Sequence, residues 1–324
     1  MRAPALVLVL LLTASCDSGS DAAAPTPVTS RPSVPSTTSA PTLPTPSPIP
    51  RDRATPPRPP AFDSAAAVSV VRQLAGRIGP REATSPAYQQ AADWVEAQFE
   101  AAGYVVRRQA VAVPAGTSWG VPVRAGTSWN LIATRPGFDQ TKPHLVVGAH
   151  LDTVPQAPGA EDNASGVAVL LGVARQYSRA APRLPTAFIA FGAEEPRGDG
   201  DSRHHYGSRA YVASLPAAQR SALRGMVSVD RVGVGDVVPI CTANATGRAV
   251  QRNLRAVAAR LRIPSSTCTN RSSDHWSFAR EGLTGVRLGS TPYAAYHSAR
   301  DLPAVVQAAQ LGRMGRVLAS WLRG

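Results

Sequence analysis

Four short apolar runs stand out along the chain: HLVVGA (144–149), TAFIAF (186–191), GMVSV (225–229) and GVRLG (285–289). Each is too short for a typical helix and too continuous for a strand with one wet face, so each reads as a strand buried on both sides. Apolar residues fall every three or four positions over about 163–178, 208–223 and 247–261, which is the helical rhythm. This alternation predicts an α/β fold: a single domain with a mixed, mostly parallel central sheet and helices on both faces. Upstream, helices are expected over 64–77 and 86–102, the second with Ala91, Ala92, Trp94, Val95 and Phe99 on one stripe and Gly103 as its stop. YVVRRQAVAV (104–113) reads as a strand. AGTSW then occurs twice, at 115–119 and 125–129, around a Gly/Pro turn, which suggests a hairpin-like loop; two copies are too few for a repeat architecture.

Before residue 63 both rhythms vanish. From Asp17 to Phe62 the chain is mainly Ser, Thr, Ala and Pro, with thirteen prolines in 46 residues. Such a segment lacks the apolar surface to fold and is expected to be a disordered, partly extended spacer. Ahead of it, MRAPALVLVLLLTASC offers one Arg, a brief apolar run and small residues, the order of a signal peptide. The run is shorter than the ~20 residues that span a bilayer. Thr13-Ala14-Ser15-Cys16 resembles the lipobox of bacterial lipoproteins, with Thr13 where Leu is usual. That resemblance implies a lipid on Cys16 and an extracellular, cell-surface lipoprotein held to the membrane by it; ordinary secretion is the alternative. The chain thus divides into a signal peptide (1–15), a lipidated Cys with linker (16–62) and one folded domain (63–324). With Cys16 set aside, Cys241 and Cys268 remain as an even pair in a compartment where disulfides persist. Whether they bond depends on a Cα separation the sequence does not give.

The charge balance is basic, 34 Lys and Arg against 21 Asp and Glu. The positive residues are scattered, Lys142 is the only lysine, and no run of four cations or aromatic-interleaved basic stretch occurs. A nucleic-acid partner is therefore not expected, although attraction to an anionic cell wall follows from the charge. There is also no nucleotide-binding glycine loop and no nucleophilic Ser or Cys in an elbow.

Candidate chemistry sits just after the strands. His150 and Asp152 follow the first run, Glu194 and Glu195 the second, and Asp230 the third. In an open α/β sheet, ligands gather beyond the carboxyl ends of the strands. Collecting so many carboxylates there is unfavourable unless cations neutralise them. A metal pair would do so, and a His and carboxylate set suits zinc. Between the first two strands, in GAEDNASGVAVLLGVAR, Asp162 or Asn163 is placed to cap a helix. Spacing alone does not choose among His297, His275 and the His204-His205 pair as a further ligand.

Six blocks, HLDTV (150–154), GAEDNASG (159–166), FGAEEPRG (191–198), VDRVG (229–233), SDHWSF (273–278) and YHSARD (296–301), occur in order. Together they resemble the zinc exopeptidase family that contains secreted bacterial leucine-type aminopeptidases, glutamate carboxypeptidase and glutaminyl cyclase. The resemblance covers about 63–324. It implies two Zn2+ ions per chain, with Asp162 bridging them, His150 and Asp230 on one, and Glu195 and His297 on the other. Glu194 is implied as the general base that activates a water held between the metals. Asp152 is implied to orient the His150 imidazole, and Tyr296 to help stabilise the tetrahedral oxyanion.

Two features depart from the family pattern. Arg231 replaces the usual apolar residue after Asp230, placing a cation near the site. The segment PRGDGDSRHHYGSR (196–209) is longer than the common glycine loop; it is a candidate pocket wall, with His204 and His205 read as solvated loop residues in preference to metal ligands. The function implied is an aminopeptidase acting on peptides with a free N-terminus. A glutaminyl cyclase, a carboxypeptidase acting on acidic C-termini and a non-catalytic binding module are the alternatives.

Overall fold

A computed structural model describes residues 61–324. The residues read as a signal peptide, Cys16 and nearly all of the expected linker lie outside the described residues. Among the described residues no helix is long and apolar enough to cross a membrane.

Chain order begins with α1 (Ser64–Val71), which continues into a wider turn over Arg72–Ile78, and α2 (Pro86–Ala101). Asp63 and Ser85 cap these helices by accepting from the backbone N–H groups of Ala66 and Tyr88. Four strands follow: β1 (Val105–Val113), β2 (Gly116–Ser118), β3 (Val121–Val123) and β4 (Gly126–Thr134). Next come β5 (His144–His150), α3 (Ser165–Tyr177), β6 (Thr186–Phe191), α4 (Tyr206–Ala213), α5 (Ala217–Ala222) and β7 (Leu223–Asp230). The chain closes with β8 (Val238–Thr242), α6 (Arg248–Arg260), β9 (Ser265–Thr269), α7 (His275–Ala279), β10 (Gly285–Gly289) and α8 (Ala308–Arg323).

Eight of these strands form one sheet in the order β1-β4-β6-β5-β7-β10-β8-β9. The centre is parallel: β5 pairs with β6 and β7, and β7 with β10. Antiparallel pairings flank it, β1 with β4, β4 with β6, and β8 with β10. The four apolar runs are therefore the four adjacent strands β6, β5, β7 and β10. Along them, alternate residues serve opposite faces, as a strand's period of two requires. Leu145, Val147, Ala149, Phe188, Ala190, Val227 and Val229 join a core with α1, α2, α3, α6 and α8, while Val146, Ala187, Ile189, Phe191 and Met226 join a second core with Tyr211, Val212 and Phe278 from α4 and α7.

Three sequence expectations change in detail. The helix expected over 208–223 is two, because Pro216 precedes α5 and its missing N–H ends the ladder begun in α4. The first AGTSW copy closes the β2–β3 hairpin, with Trp119 and Gly120 at its tip, whereas the second lies in β4. Strands β8 and β9 carry no long apolar run, and β9, SSTCT, is a half-exposed edge.

Cys241 and Cys268 face each other in the β8–β9 register and are joined by a disulfide, with a Cα separation of 4.4 Å. They lie 27 residues apart in the chain. Loop-closure entropy for that span amounts to about 3.5 kcal/mol. A Cys241→Ala/Cys268→Ala double variant is accordingly expected to unfold about 3 kcal/mol more easily in equilibrium denaturation, with a steeper denaturant slope because the unlinked unfolded chain is more expanded. A loss under 1 kcal/mol would show that the bond contributes little.

Candidate metal centre and active site

The carboxyl ends of β6, β5 and β7 lie side by side, and six sequence-predicted polar residues collect there, four from those strand ends and two from other segments. His150 ends β5 and Asp230 ends β7. Glu194 and Glu195 leave β6 three and four residues after Phe191. Asp162 lies in the irregular turn Ala160–Ala164 that leads into α3, with non-helical backbone angles. His297 comes from the loop after β10 and has a left-handed φ of 51°. All are nearly or fully buried.

Asp162 sits at the middle of this group. Its Oδ1 is 3.0 Å from His150 Nε2 and its Oδ2 is 3.1 Å from His297 Nε2. His150 Nε2 is also 3.8 Å from Asp230 Oδ1, and His297 Nε2 is 3.3 Å from Glu195 Oε1. The donor atoms of His150, Asp162 and Glu195 lie within 4.8 Å of one another, as do those of His150, Glu194 and Asp230.

Neighbouring residues fix these side chains. Asp152 spreads its carboxylate across two backbone donors, accepting from Glu194 N–H on Oδ1 and Glu195 N–H on Oδ2, each at 3.0 Å. Its carbonyl oxygen lies 3.2 Å from His150 Nδ1. A carbonyl only accepts, so a neutral His150 carries its proton on Nδ1 and turns the Nε2 lone pair toward Asp162. Two acceptors then face each other at 3.0 Å, which only a cation between them or a proton can relieve. Glu195 Oε1 is likewise buried without a well-formed hydrogen bond. This donor set fits divalent metal ions of the zinc type.

The charges gathered here shift one another strongly. Burial would lower the His150 and His297 imidazoles, but the surrounding carboxylates overcome it, raising His150 well above its ordinary value and His297 to about 10. Burial pushes Glu194 up to about 8 and Glu195 to about 7, with His150 and His297 opposing. For Asp230 burial also acts upward, yet Arg287 and then His150 hold its carboxyl well below the usual range.

Several contributors escaped the sequence reading. Arg287, fully buried in β10, stands 2.9 Å from Asp230 Oδ1 and donates to the Ser272 carbonyl and hydroxyl. A charged residue inside an apolar run was the available signal, since a buried cation requires a partner. Asp301 accepts from the N–H groups of Glu161 and Asp162 and from Tyr293 Oη, fixing the turn that carries Asp162. Asn163, rather than Asp162, does the capping: its Oδ1 accepts from Gly166 N–H and Arg231 N–H. Arg81, fully buried, donates to the carbonyls of Leu151, Pro158 and Gly159 and so holds the segment after His150. Gly289 is needed where β10 passes Asp230: a side chain there would lie 1.8 Å from the Asp230 carbonyl oxygen.

A cleft of about 330 Å3 opens over the group, lined by Trp119, Glu194, Glu195, His204, Tyr296 and His297 among others. Tyr296 stacks on the His297 ring at 3.7 Å, and Trp119, from the hairpin tip, meets the same ring edge-on at 4.4 Å. Arg231 lies over the Tyr296 ring at 4.6 Å and its Nε is 3.9 Å from Asp230. The segment 196–209 forms part of the cleft wall. It also corrects one expectation: His205 is not a solvated loop residue but is 4% exposed, with Nε2 3.1 Å from Glu194 Oε1. His275 is buried and approaches the Asn270 carbonyl, outside the cluster.

Residues 130–322 match the model of peptidase family M28. The chain belongs to that family. Leupeptin-inactivating enzyme 1 of Streptomyces exfoliatus is 30% identical over 235 residues, 71% of this chain and 49% of that protein. This M28 chain thus spans about half the length of that relative. A shorter stretch of 84 residues is 42% identical to the probable lipoprotein aminopeptidase LpqL of Mycobacterium tuberculosis, covering 25% of this chain and 15% of that one. The fold matches that of a zinc aminopeptidase from Bacillus subtilis with a TM-score of 0.70 at 18% identity, over 80% of this chain and 94% of the other.

Proposed function

We propose that this M28 chain is a dizinc aminopeptidase that removes N-terminal residues from peptides. The observation that carries the reading is Asp162, whose two oxygens each face an Nε2 from a different segment, 3.0 and 3.1 Å away. His150 and Asp230 would hold one ion, Glu195 and His297 the other, with Asp162 shared. Zinc bound there supplies a Lewis acid that polarises the scissile carbonyl and acidifies water. Glu194 takes the proton of the attacking water and passes it to the leaving amine. Asp152 locks both glutamates by their backbone N–H groups and so keeps the base and the adjacent ligand in register. Tyr296, stacked on His297, is placed to donate its hydroxyl to the oxyanion. The small cleft favours a chain end over a mid-chain segment. For its location, the Cys16 motif and the lipoprotein named among the relatives support a cell-surface anchor through lipid, with the linker as spacer.

The test is amino-acid release from unblocked and N-acetylated aminoacyl-p-nitroanilides by the zinc-loaded chain. Release confined to unblocked substrates is the expected result. Release from neither, with zinc bound, would favour the carboxypeptidase or cyclase.

A further inference from the structure

The general base has an unusual neighbour. His205 belongs to the long segment 196–209, and that segment is braced on every side. Arg197, almost fully buried, pairs with Glu82 and donates to the carbonyls of Pro114 and Arg124. Its backbone N–H donates to the Arg203 carbonyl, Arg209 donates to the Ser202 carbonyl, and Trp276 Nε1 donates to Asp201 Oδ2. These contacts bring the chain back so that His205 meets Glu194 twice. Its backbone N–H donates to the Glu194 carbonyl at 2.9 Å, and Nε2 stands 3.1 Å from Oε1. The backbone accepts a φ of 56° to do so, a left-handed angle that non-glycine residues seldom adopt. Burial lowers the imidazole's proton affinity, and a neutral His205 protonated on Nε2 donates to the Glu194 carboxylate.

We infer that His205 is a positioning residue for Glu194: it holds Oε1 of the carboxylate and leaves Oε2 to receive the proton of the attacking water. The inference rests on the aminopeptidase reading. A carboxylate free to turn about its last bond would spend part of its time misaligned, and a misplacement of about 1 Å costs on the order of 10²-fold in rate. Outer partners that orient functional groups commonly contribute about 10- to 100-fold.

The test compares His205→Gln with His205→Asn in the full zinc-loaded chain. The glutamine amide reaches about as far as Nε2; the asparagine amide is one methylene shorter and stops at the level of Nδ1. On the best unblocked aminoacyl-p-nitroanilide, H205N is expected to lower kcat about 10- to 100-fold with KM within about threefold, and H205Q to stay within about threefold of the parent. Zinc content is expected to match the parent in both variants. Equal rates in the two variants, whether both retained or both lost, would overturn the assignment alone, as would loss of zinc in H205N. A parent chain that releases no amino acid from any substrate would overturn the aminopeptidase reading and the assignment together.

Discussion

Glu194→Gln is expected to lower kcat by about 10³-fold while zinc content and fold stay as in the parent. The amide fills the same space, and the backbone N–H that ties this residue to Asp152 is untouched by the substitution. What disappears is the capacity to take a proton. A base must both take the water's proton and hand it on, and an amide does neither. Steady-state kinetics and metal analysis on the same preparation decide the point. A variant that keeps more than a tenth of parental kcat would remove Glu194 from the role.

Asp162→Asn addresses the centre itself. Asparagine keeps one oxygen and replaces the other by an NH2 group, so one imidazole would face a donor where it now faces an acceptor. Zinc content after dialysis is expected to fall from two ions per chain to one or fewer, and kcat by about 10³-fold or more. Two retained ions would show that Asp162 is not shared between them. Replacing Asp152 instead should act more mildly, because its oxygens meet backbone donors and lie farther from the imidazole, 3.7 Å from His150 Nδ1.

The sheet centre was readable because β5, β6, β7 and β10 are buried on both faces and so carry continuous apolar runs. β8 and β9 were not: β8 is buried but short and interrupted by Pro239, and β9 is polar and half-exposed. The same reasoning separates the site residues. His150 and Asp230 end strands, and Glu195 follows one closely, so strand prediction placed them. His297 hangs from a loop with no rhythm of its own, and only resemblance selected it. His205 was noticed but read as solvated, because its burial depends on braces from Glu82, Pro114 and Arg124, far away in the chain. Arg287 did carry one: a cation in the middle of GVRLG, fully buried, announces a carboxylate nearby.

The Cys241–Cys268 bond also governs how the molecule behaves in company. A sheet's outermost strand presents unpaired N–H and C=O groups to any foreign strand that approaches. β9 is such a strand, and its tie to β8 keeps it from peeling away and exposing a fresh, apolar border. The opposite border, β1, is guarded differently, by Arg107 and Arg108, the latter paired with Asp93 and Glu96. One border is closed by a covalent bond and the other by charge. Reducing agents act on the first and high salt on the second.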